Sequence, residues 1–429
     1  MKKSIRIGSG AGFSGDRLEP AVILAEQGKL DYLVLECLAE RTIALAQKRK
    51  IANAQLGYDP LLEKRLRVLL PSLIANKVTL ITNMGAANPQ AAAEKIQEIA
   101  RELHLSVRIA AVMGDDVLAK IQGHSENYTV IENGSPLSDY LICSANAYLG
   151  VEGILEALQS KAQIIITGRV ADPSLFLAPM MHEFHWKEPA LLGAGTVIGH
   201  LLECAGQLTG GYFADPQRKS IPDLANLGHP FADVFENGEA ILGKVDGTGG
   251  AITLATVKEQ LLYEVINPHA YLTPDVSADL TTVQLEQVAE NKILVRGGKG
   301  LTKPNQYKVS VGYHAGYVGE GEISYAGHQA LERAQLAGEI IRHRIQSLVK
   351  ELRIDYIGWD SVHRKNLRPD YEPYEVRLRV AGKTKSFEDA QMIGEEVEAL
   401  YTNGPAGGGG VRKYAQEQIG IVSILLDRS

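Results

Sequence analysis

IRIGSGAGFSGDRLEPAVILAEQGKLDYLVLE, residues 5–36, is the stretch that decides the fold of this chain. Ile5–Ile7 and Tyr32–Leu35 are short, mainly apolar runs, typical of strands that are buried on both faces. Between them, a glycine-rich loop at 8–17 precedes Glu19–Leu30, whose apolar residues have helical spacing. A strand, a loop, a helix and a second strand predict parallel strands joined by a right-handed crossover.

The same alternation continues through the first 200 residues. Further strands are predicted at Val78–Thr82, Val107–Val112, Tyr140–Cys143 and Gln163–Thr167, and further helices at Leu61–Ile74, Pro89–Leu103 and Val151–Ser160. This pattern predicts an α/β domain at 1–200, built on a doubly wound, mostly parallel sheet with helices on both faces.

The rest of the chain is less regular. Residues 201–354 predict a mixed α/β second part, with a helix near Thr253–Ile266, strand-like pieces at Lys292–Arg296, Tyr307–Tyr313 and Glu322–Tyr325, and a long helix at Gly327–Val349. Residues 355–429 predict a small α+β unit, with a strand at Tyr374–Val380, a helix at Phe387–Tyr401, a helix start at Val411–Gln418 and a strand at Ile419–Leu426.

The composition disfavours several classes of protein. The 429 residues carry 44 Lys and Arg against 51 Asp and Glu, a net charge of −7, whereas nucleic-acid binding needs a dense basic face. No apolar run approaches the roughly 18–20 residues of a membrane-spanning helix. Three distant cysteines, Cys37, Cys143 and Cys204, predict no disulfide framework and are typical of the cytoplasm. For a cytoplasmic enzyme we also expect a homo-oligomer.

Polar loops follow the predicted strands of the first domain, and in an open parallel sheet such loops meet at one edge, where ligands bind. Turn formation explains their Gly, Asn and Pro residues but not their charged residues. The candidates for catalysis at this edge are Glu36, Asp116, Arg169 and Asp172, and the candidates for ligand binding in the same loops are Arg17, Asn83, Gly85 and Asn146.

The glycines of Gly10-x-Gly12-x-x-Gly15 follow a strand and open a helix, about twenty residues before Glu36, which is the layout of a dinucleotide fingerprint. Asp16 comes directly after the last glycine and would place a negative charge where a phosphate should lie. Three interpretations stay open: a site for NAD(P) or FAD, a loop that binds another anion or small ligand, and a structural turn. Asp16 could also cap the helix.

Two charged pairs allow a functional and a structural interpretation. Asp115 and Asp116 could divide acid and base work or hold Mg²⁺, or one of them could cap the next helix. Arg169 could clamp a carboxylate or a phosphate, or it could lock its own loop through Asp172.

The histidines give weaker signals. His182 and His185 are three residues apart instead of the four of a zincin motif, so the face of an amphipathic helix is favoured over a metal site. His229 and His269 lie in predicted loops, where either could act as a general base.

Two glycine-rich turns, at 245–253 and 404–410, precede predicted helices, and the amides of such turns can cradle a phosphate, for example that of coenzyme A. In the first turn, Asp246 is a catalytic candidate, and Gly249 and Gly250 are ligand-binding candidates. For 404–410 the alternative is a mobile surface loop.

The chain contains neither a G-x-S-x-G nucleophile elbow nor a Walker loop, which disfavours serine hydrolases and P-loop NTPases. What remains is Asp, Glu, His and Arg, the side chains that move protons next to a carbonyl group.

Several motifs, taken jointly and in order, resemble the acyclic terpene utilisation family, AtuA. They are GAGFSGDR (10–17), DYLVLECLAE (31–40), NMGAANP (83–89), GDD (114–116), TGRVADPSLFL (167–177), GGYFADP (210–216), KVDGTGGAIT (244–253) and EQLLYEVINPHAYLTPD (259–275). The residues whose location the resemblance carries over are Asp16, Arg17, Glu36, Asn83, Asp116, Arg169, Asp172, Asp246 and Glu264.

The resemblance implies a cytoplasmic catabolic protein that handles a small carboxylic acid or a coenzyme A thioester, because family members accompany the breakdown of citronellol, geraniol and related branched acids. Longer members have a C-terminal ferredoxin-like domain, or a small separate companion carries it. Residues 355–429 do not show that pattern, so a ferredoxin-like companion protein is a candidate partner.

The leading hypothesis is a lyase or hydro-lyase that acts on a branched acyl-CoA or a hydroxy carboxylic acid. In it, Asp116 or Asp172 is the base, Arg169 holds a carboxylate, and the loop Gly10–Gly15 binds an anionic group. The alternatives are a ligand-binding or partner-dependent subunit without catalysis, and an NAD(P)-dependent oxidoreductase.

Overall fold

The computed structural model describes residues 3–363 and 371–428. The chain divides into two compact units, one formed by Met1–Gly312 with Ile421–Ser429 and the other by Tyr313–Gly420. The elements before residue 305 are β1 (Ser4–Ala11), α1 (Glu19–Gln27), β2 (Tyr32–Leu35), α2 (Glu40–Ala52), α3 (Leu62–Ala75), β3 (Thr79–Thr82), α4 (Pro89–Glu102), β4 (Ile109–Val112), α5 (Leu118–Gln122), β5 (Ile142–Ala147), α6 (Glu152–Gln159), β6 (Ile164–Thr167), α7 (Asp172–Phe184), α8 (Pro189–Glu203), β7 (Pro230–Phe235), β8 (Ala240–Lys244), α9 (Leu254–Leu262), β9 (Tyr271–Leu272), β10 (Ser277–Asp279), β11 (Gln284–Ala289), β12 (Lys292–Arg296) and β13 (Lys299–Gly300).

Within the described residues, the first unit is built on a nine-stranded sheet of order β11-β12-β8-β7-β1-β2-β3-β6-β4. From β1 to β4 the neighbouring strands are parallel, with Val34 of β2 opposite Ile81 of β3. On the other side of β1, the strands β7, β8, β12 and β11 are antiparallel. Residues 230–296 therefore extend the sheet of the first 200 residues.

Helices cover both faces of the parallel strands, because side chains alternate between the faces along each strand. Tyr32 and Val34 join a core formed with α6, α7 and α8. Leu33 and Leu35 join a second core formed with α1, α3 and α4. The mixed α/β class is confirmed, and the full sheet is half antiparallel because hairpin strands from 230–296 are added to it.

The predicted strand at Tyr140–Cys143 lies outside the parallel sheet, which is a correction to the sequence analysis. The observed β5 pairs instead with β14 (Gln306–Ala326), a strand whose first residues, up to Gly312, belong to the first unit. Just after β5, the Tyr148 amide donates to the Lys308 carbonyl over 2.9 Å. The strand contains the buried polar residues Ser144 and Asn146, unlike the apolar centres of β2, β3, β4 and β6.

The second unit, Tyr313–Gly420, contains the later part of β14, α10 (Ala330–Ile345), β15 (Glu351–Ile357), β16 (Glu375–Thr384), α11 (Phe387–Asn403) and the earlier part of β17 (Gly409–Asp427). Its strands have the spatial order β15-β16-β14-β17, which is the βαββαβ arrangement of a ferredoxin-like fold. Side chains of α10 and α11 form its core with alternate residues of β14 and β16.

For these strands, one sequence expectation is confirmed in part and one is wrong. The pieces predicted at Tyr307–Tyr313 and Glu322–Tyr325 belong to one continuous strand, so the βαββαβ pattern begins before residue 355 and was not visible in 355–429. The helix start predicted at Val411–Gln418 is part of β17. The glycine turn at 404–410 therefore precedes a strand and does not form a helix-terminal anion site.

Candidate functional site

A cleft of about 740 Å³ opens in the first unit at the carboxyl ends of β1, β2 and β6. The predicted site residues that line it are Gly12, Asp16, Arg17, Glu36, Arg169, Asp172 and Glu264. The ionisable residues that line it without having been predicted are Glu40, Glu203, Cys204, Tyr212 and Tyr263, and the candidate general base His229 also lines it. The edge expected to bind a ligand is therefore the edge at which the cleft lies.

Arg169 is the buried cation of this cleft. It follows β6, its side chain is 1% exposed, and its guanidinium lies over the Tyr148 ring at 4.5 Å. Nε donates to the Val170 carbonyl over 2.9 Å, Nη1 donates to the Leu38 carbonyl, and Nη2 donates to Val170 and Asp172. Four of the five N–H groups of Arg169 thus have acceptors within the protein, which favours the interpretation that Arg169 locks its loop through Asp172.

Asp172 begins α7 and is the carboxylate that faces Arg169. About a third of its side chain (35%) remains exposed to the cleft. Burial raises the pKa of the Asp172 carboxyl, and the attraction of the Arg169 guanidinium acts in the opposite direction. Asp172 thus combines access to the cleft with a basicity above that of an ordinary aspartate.

Glu36 also lines this cleft and directly follows the last residue of β2. Its Oε1 accepts hydrogen bonds from the Leu38 amide and the Asn83 side-chain amide, both over 2.8 Å. Burial and, next, the negative charge of Asp172 raise the pKa of Glu36 well above its ordinary value. Glu36 therefore keeps its proton at pH values where an exposed glutamate is ionised.

Glu40 is the contrasting carboxylate at the cleft wall. Burial acts to raise the pKa of Glu40, but the hydrogen bond from the Tyr148 hydroxyl, at 2.5 Å, and further favourable contacts lower it. The cleft therefore holds carboxyl groups whose pKa values are shifted in opposite directions. Such a difference is the condition under which one carboxyl group can act as an acid and another as a base.

Glu203 and His200 were missed by the sequence analysis. They lie three residues apart on the otherwise apolar helix α8, and His200 Nδ1 is 2.9 Å from Glu203 Oε1. Burial raises the pKa of Glu203 to about 7, with His200 acting to lower it. The i, i+3 spacing of His and Glu in the segment GHLLEC (199–204) is a signal that could have found the pair.

The glycine-rich loop serves packing and internal hydrogen bonding. The Gly12 amide donates to Asp16 Oδ2 over 2.6 Å, so this carboxylate occupies a donor that a pyrophosphate would need. A Cβ at Gly12 would lie 2.5 Å from the backbone of Cys204, and one at Gly10 would lie 2.5 Å from Leu35. These contacts favour the structural interpretation over the dinucleotide fingerprint.

Two details of this loop correct or complete the expectations. Asp16 does not cap α1, whose first turn follows Leu18 without a side-chain cap. Arg17 lies at the exposed rim, where Nη1 donates to the Ala225 carbonyl over 2.6 Å. A Cβ at Gly15 would meet the Phe13 ring at 2.5 Å, so Gly15 also serves close packing.

His229 is the histidine that reaches the cleft, whereas His269 has a side chain that is 75% exposed. His229 Nδ1 lies 3.1 Å from the Gly10 carbonyl, so a hydrogen on Nδ1 bonds to that oxygen. Burial lowers the pKa of His229, with the nearby Asp16 acting in the opposite direction, and the ring is therefore kept neutral.

Asp115 and Asp116 belong to another polar network. Asp115 is buried and accepts hydrogen bonds from the Asn146 side chain (2.8 Å) and the Arg169 amide (3.0 Å). Asp116 is exposed, accepts from Gln47 over 3.1 Å, and accepts from the first amide of α5 over 3.2 Å. The structure therefore places Asp115, Asp116 and Asn146 outside the residues that line the cleft.

The remaining candidates are also outside the cleft lining. Asp246 is exposed in its turn. The Gly249 and Gly250 amides donate to the carbonyls of Asn226 and Pro222, both over 2.8 Å, and are not free for an anion. A Cβ at Gly85 would lie 2.4 Å from the Thr167 carbonyl, which gives Gly85 a packing role.

Within residues 3–363 and 371–428, no group of three or more His, Cys, Asp or Glu side chains is arranged to hold a metal ion. His182 lies in α7 and His185 follows its end. Over the same described residues, no helix combines the length and the apolar character needed to cross a membrane.

Together, the sheet and the cleft define a mixed α/β protein with a cleft lined by carboxyl groups at the carboxyl ends of its strands. Comparison with protein families is more specific. The chain belongs to the acyclic terpene utilisation family, AtuA, whose family model matches residues 5–429. No curated protein gives a significant match to the chain.

Proposed function

We propose that this chain is an enzyme of acyclic terpene utilisation that moves protons next to a carbonyl group. The reaction class is a lyase or hydro-lyase, and the substrate is a branched hydroxy carboxylic acid or its coenzyme A thioester. One observation carries the proposal: Glu36, Arg169 and Asp172 line one cleft, Arg169 is paired with Asp172, and the Asp172 side chain is 35% exposed whereas Glu36 is 7% exposed.

Asp172 is the base in this proposal. It takes the proton from the carbon next to the carbonyl, because it is the member of the group that is both open to the cleft and raised in pKa by burial. Glu36, which keeps its proton, donates a hydrogen bond to the carbonyl oxygen as negative charge develops there. Arg169 fixes Asp172 through its ion pair.

The shape and charge of the cleft fit an anionic substrate with an apolar body. Phe13, Leu38, Leu224 and Leu227 line it beside the carboxyl groups. Arg17 lies at the exposed rim and is placed to attract a carboxylate or phosphate group of the substrate. These side chains support a branched acid or thioester more than a sugar or a nucleotide base.

The test is hydrogen–deuterium exchange followed by NMR. The purified chain is incubated in deuterated buffer with branched 3-hydroxyacyl-CoA thioesters and the matching free acids, and exchange at the carbon next to the carbonyl is measured. Asp172→Asn is expected to slow exchange about 10²–10⁴-fold, and Glu36→Gln to slow it less, because removing a base abolishes the step itself.

Asp116→Asn is the matched control, since Asp116 is an exposed aspartate outside the cleft lining. Loss of exchange in Asp116→Asn but not in Asp172→Asn would transfer the role of base to Asp116. Absence of exchange with every compound of the panel, in a folded protein, would favour the subunit without catalysis. Stabilisation by NAD(P) alone would favour the oxidoreductase.

A further inference from the structure

Among the described residues, one carboxyl oxygen of Glu203 has a hydrogen-bond partner and the other has none. The residue ends α8, lines the cleft, and its side chain is 12% exposed. Oε1 meets His200 Nδ1 at 2.9 Å, whereas Oε2 is buried without a hydrogen-bond partner among the described residues. A buried acceptor without a partner costs free energy, so such an atom beside a cleft indicates a group that a ligand engages.

His200 is held in a defined orientation. Its Nε2 lies 3.3 Å from the Leu261 carbonyl, which can only accept, so Nε2 carries a hydrogen. The Gln260 side chain donates to the His200 carbonyl over 3.1 Å, and the Tyr271 ring packs against the imidazole at 5.0 Å. Nδ1, which faces Glu203, is therefore the nitrogen that can gain or lose a proton.

We propose that Glu203 protonates the leaving hydroxyl group of the substrate, with His200 as its proton reserve. This inference rests on the proposed function, which it completes. Asp172 takes the proton from carbon, the carbon–carbon double bond forms, and the carbon–oxygen bond breaks. The hydroxyl leaves as water with the proton from Glu203 Oε2, and Oε1 takes the proton of the His200 imidazolium. In the direction of hydration, each transfer is reversed.

The surroundings place Glu203 near its titration point at neutral pH. Burial raises the pKa of Glu203 to about 7, and the negative charges of Asp172 and Glu264 add to the increase, whereas His200 opposes it. Cys204 and Tyr271 are the other titratable neighbours, and burial raises the pKa of each. A carboxyl with these neighbours can give and take a proton at working pH.

The experiment compares two partial reactions in Glu203→Gln, with the same 3-hydroxyacyl-CoA panel. Exchange at the carbon next to the carbonyl measures proton removal by Asp172. The ultraviolet absorbance of the conjugated enoyl product measures loss of water. We expect elimination to fall at least about a hundredfold and exchange to fall by less than about tenfold. Glu188→Gln, an exposed position at the other end of α8, is the control and leaves both reactions unchanged.

His200→Asn tests whether His200 supplies a proton to Glu203. It removes a cation that acts to lower the pKa of Glu203, so the pH midpoint of elimination is expected to rise. A neutral, purely structural His200 would change the rate and leave the midpoint in place, which would overturn its role. Normal elimination in Glu203→Gln would overturn the inference while the proposed function stands. Absence of exchange in the wild type would refute the proposed function, and the inference with it.

Discussion

Two glutamates of this molecule lie near a buried or half-buried arginine, and their pKa values are shifted in opposite directions. In the second unit, Arg379 donates to both oxygens of Glu320, over 2.8 and 2.7 Å, and the Tyr414 hydroxyl adds a third bond at 2.9 Å. In the cleft, Glu36 accepts from two neutral amides, and Arg169 directs its donors elsewhere.

Both carboxyl groups are little exposed, Glu36 at 7% and Glu320 at 4%. The hydrogen bonds from Arg379 lower the pKa of Glu320, whereas burial raises the pKa of Glu36. The charge on the direct donors decides which effect wins. The ferredoxin-like sheet uses its pairs to stabilise ionised side chains, and the cleft keeps a neutral acid.

The largest expected effect is the loss of Arg169. Arg169→Met removes a buried cation and leaves the Leu38 and Val170 carbonyls without their donor, so unfolding should become easier by about 3–5 kcal/mol. Urea denaturation measures this change. Arg377→Met, which breaks the partly exposed pair with Glu322, is the control and should cost about 1 kcal/mol or less. Equal losses would remove the distinction between the two regions.

The second comparison uses one substitution in both regions. Glu320→Gln removes the charge that Arg379 pairs with and should cost about 1–2 kcal/mol. Glu36→Gln replaces a neutral carboxyl by a neutral amide of the same shape and should change stability by less than about 0.5 kcal/mol. Thermal unfolding of the two variants and the wild type gives the difference. A larger loss for Glu36→Gln would mean that Glu36 is ionised in the folded protein.

The sequence predicted the parallel strands and the cleft well for a physical reason. Buried parallel strands need continuous apolar runs, and the polar residues directly after them, such as Glu36 and Arg169, must emerge at one edge of the sheet. The same logic failed for Asp116, since its loop lies at the sheet edge beside β4 and outside the cleft lining. The sequence predicted that Asp116 lies at the carboxyl end of a strand, but it did not predict how far that strand, β4, lies from the strands that form the cleft.

The second unit and the pair of Glu203 and His200 were harder to predict from the sequence, for a different reason. β14 runs through 21 residues that include four glycines, and because glycine usually marks a turn, the strand was predicted as two pieces that concealed the start of the ferredoxin-like pattern. Glu203 lies at the end of an apolar helix, and its importance depends on His200 and on a cleft formed by distant loops. Local patterns predict elements, whereas contacts between distant loops decide which carboxyl groups are buried together.

The smallest expected effect is a difference in sign between two pH profiles. Glu36 binds its proton more tightly when folded, so its contribution to the free energy of unfolding falls as pH rises from about 4.5 through its raised pKa. Glu320 has a lowered pKa, so its contribution is lost as pH falls below about 4.5. Each slope is at most about 1.4 kcal/mol per pH unit. Subtracting the Glu36→Gln and Glu320→Gln profiles from that of the wild type isolates each group, and slopes of the same sign would show that burial does not govern Glu36.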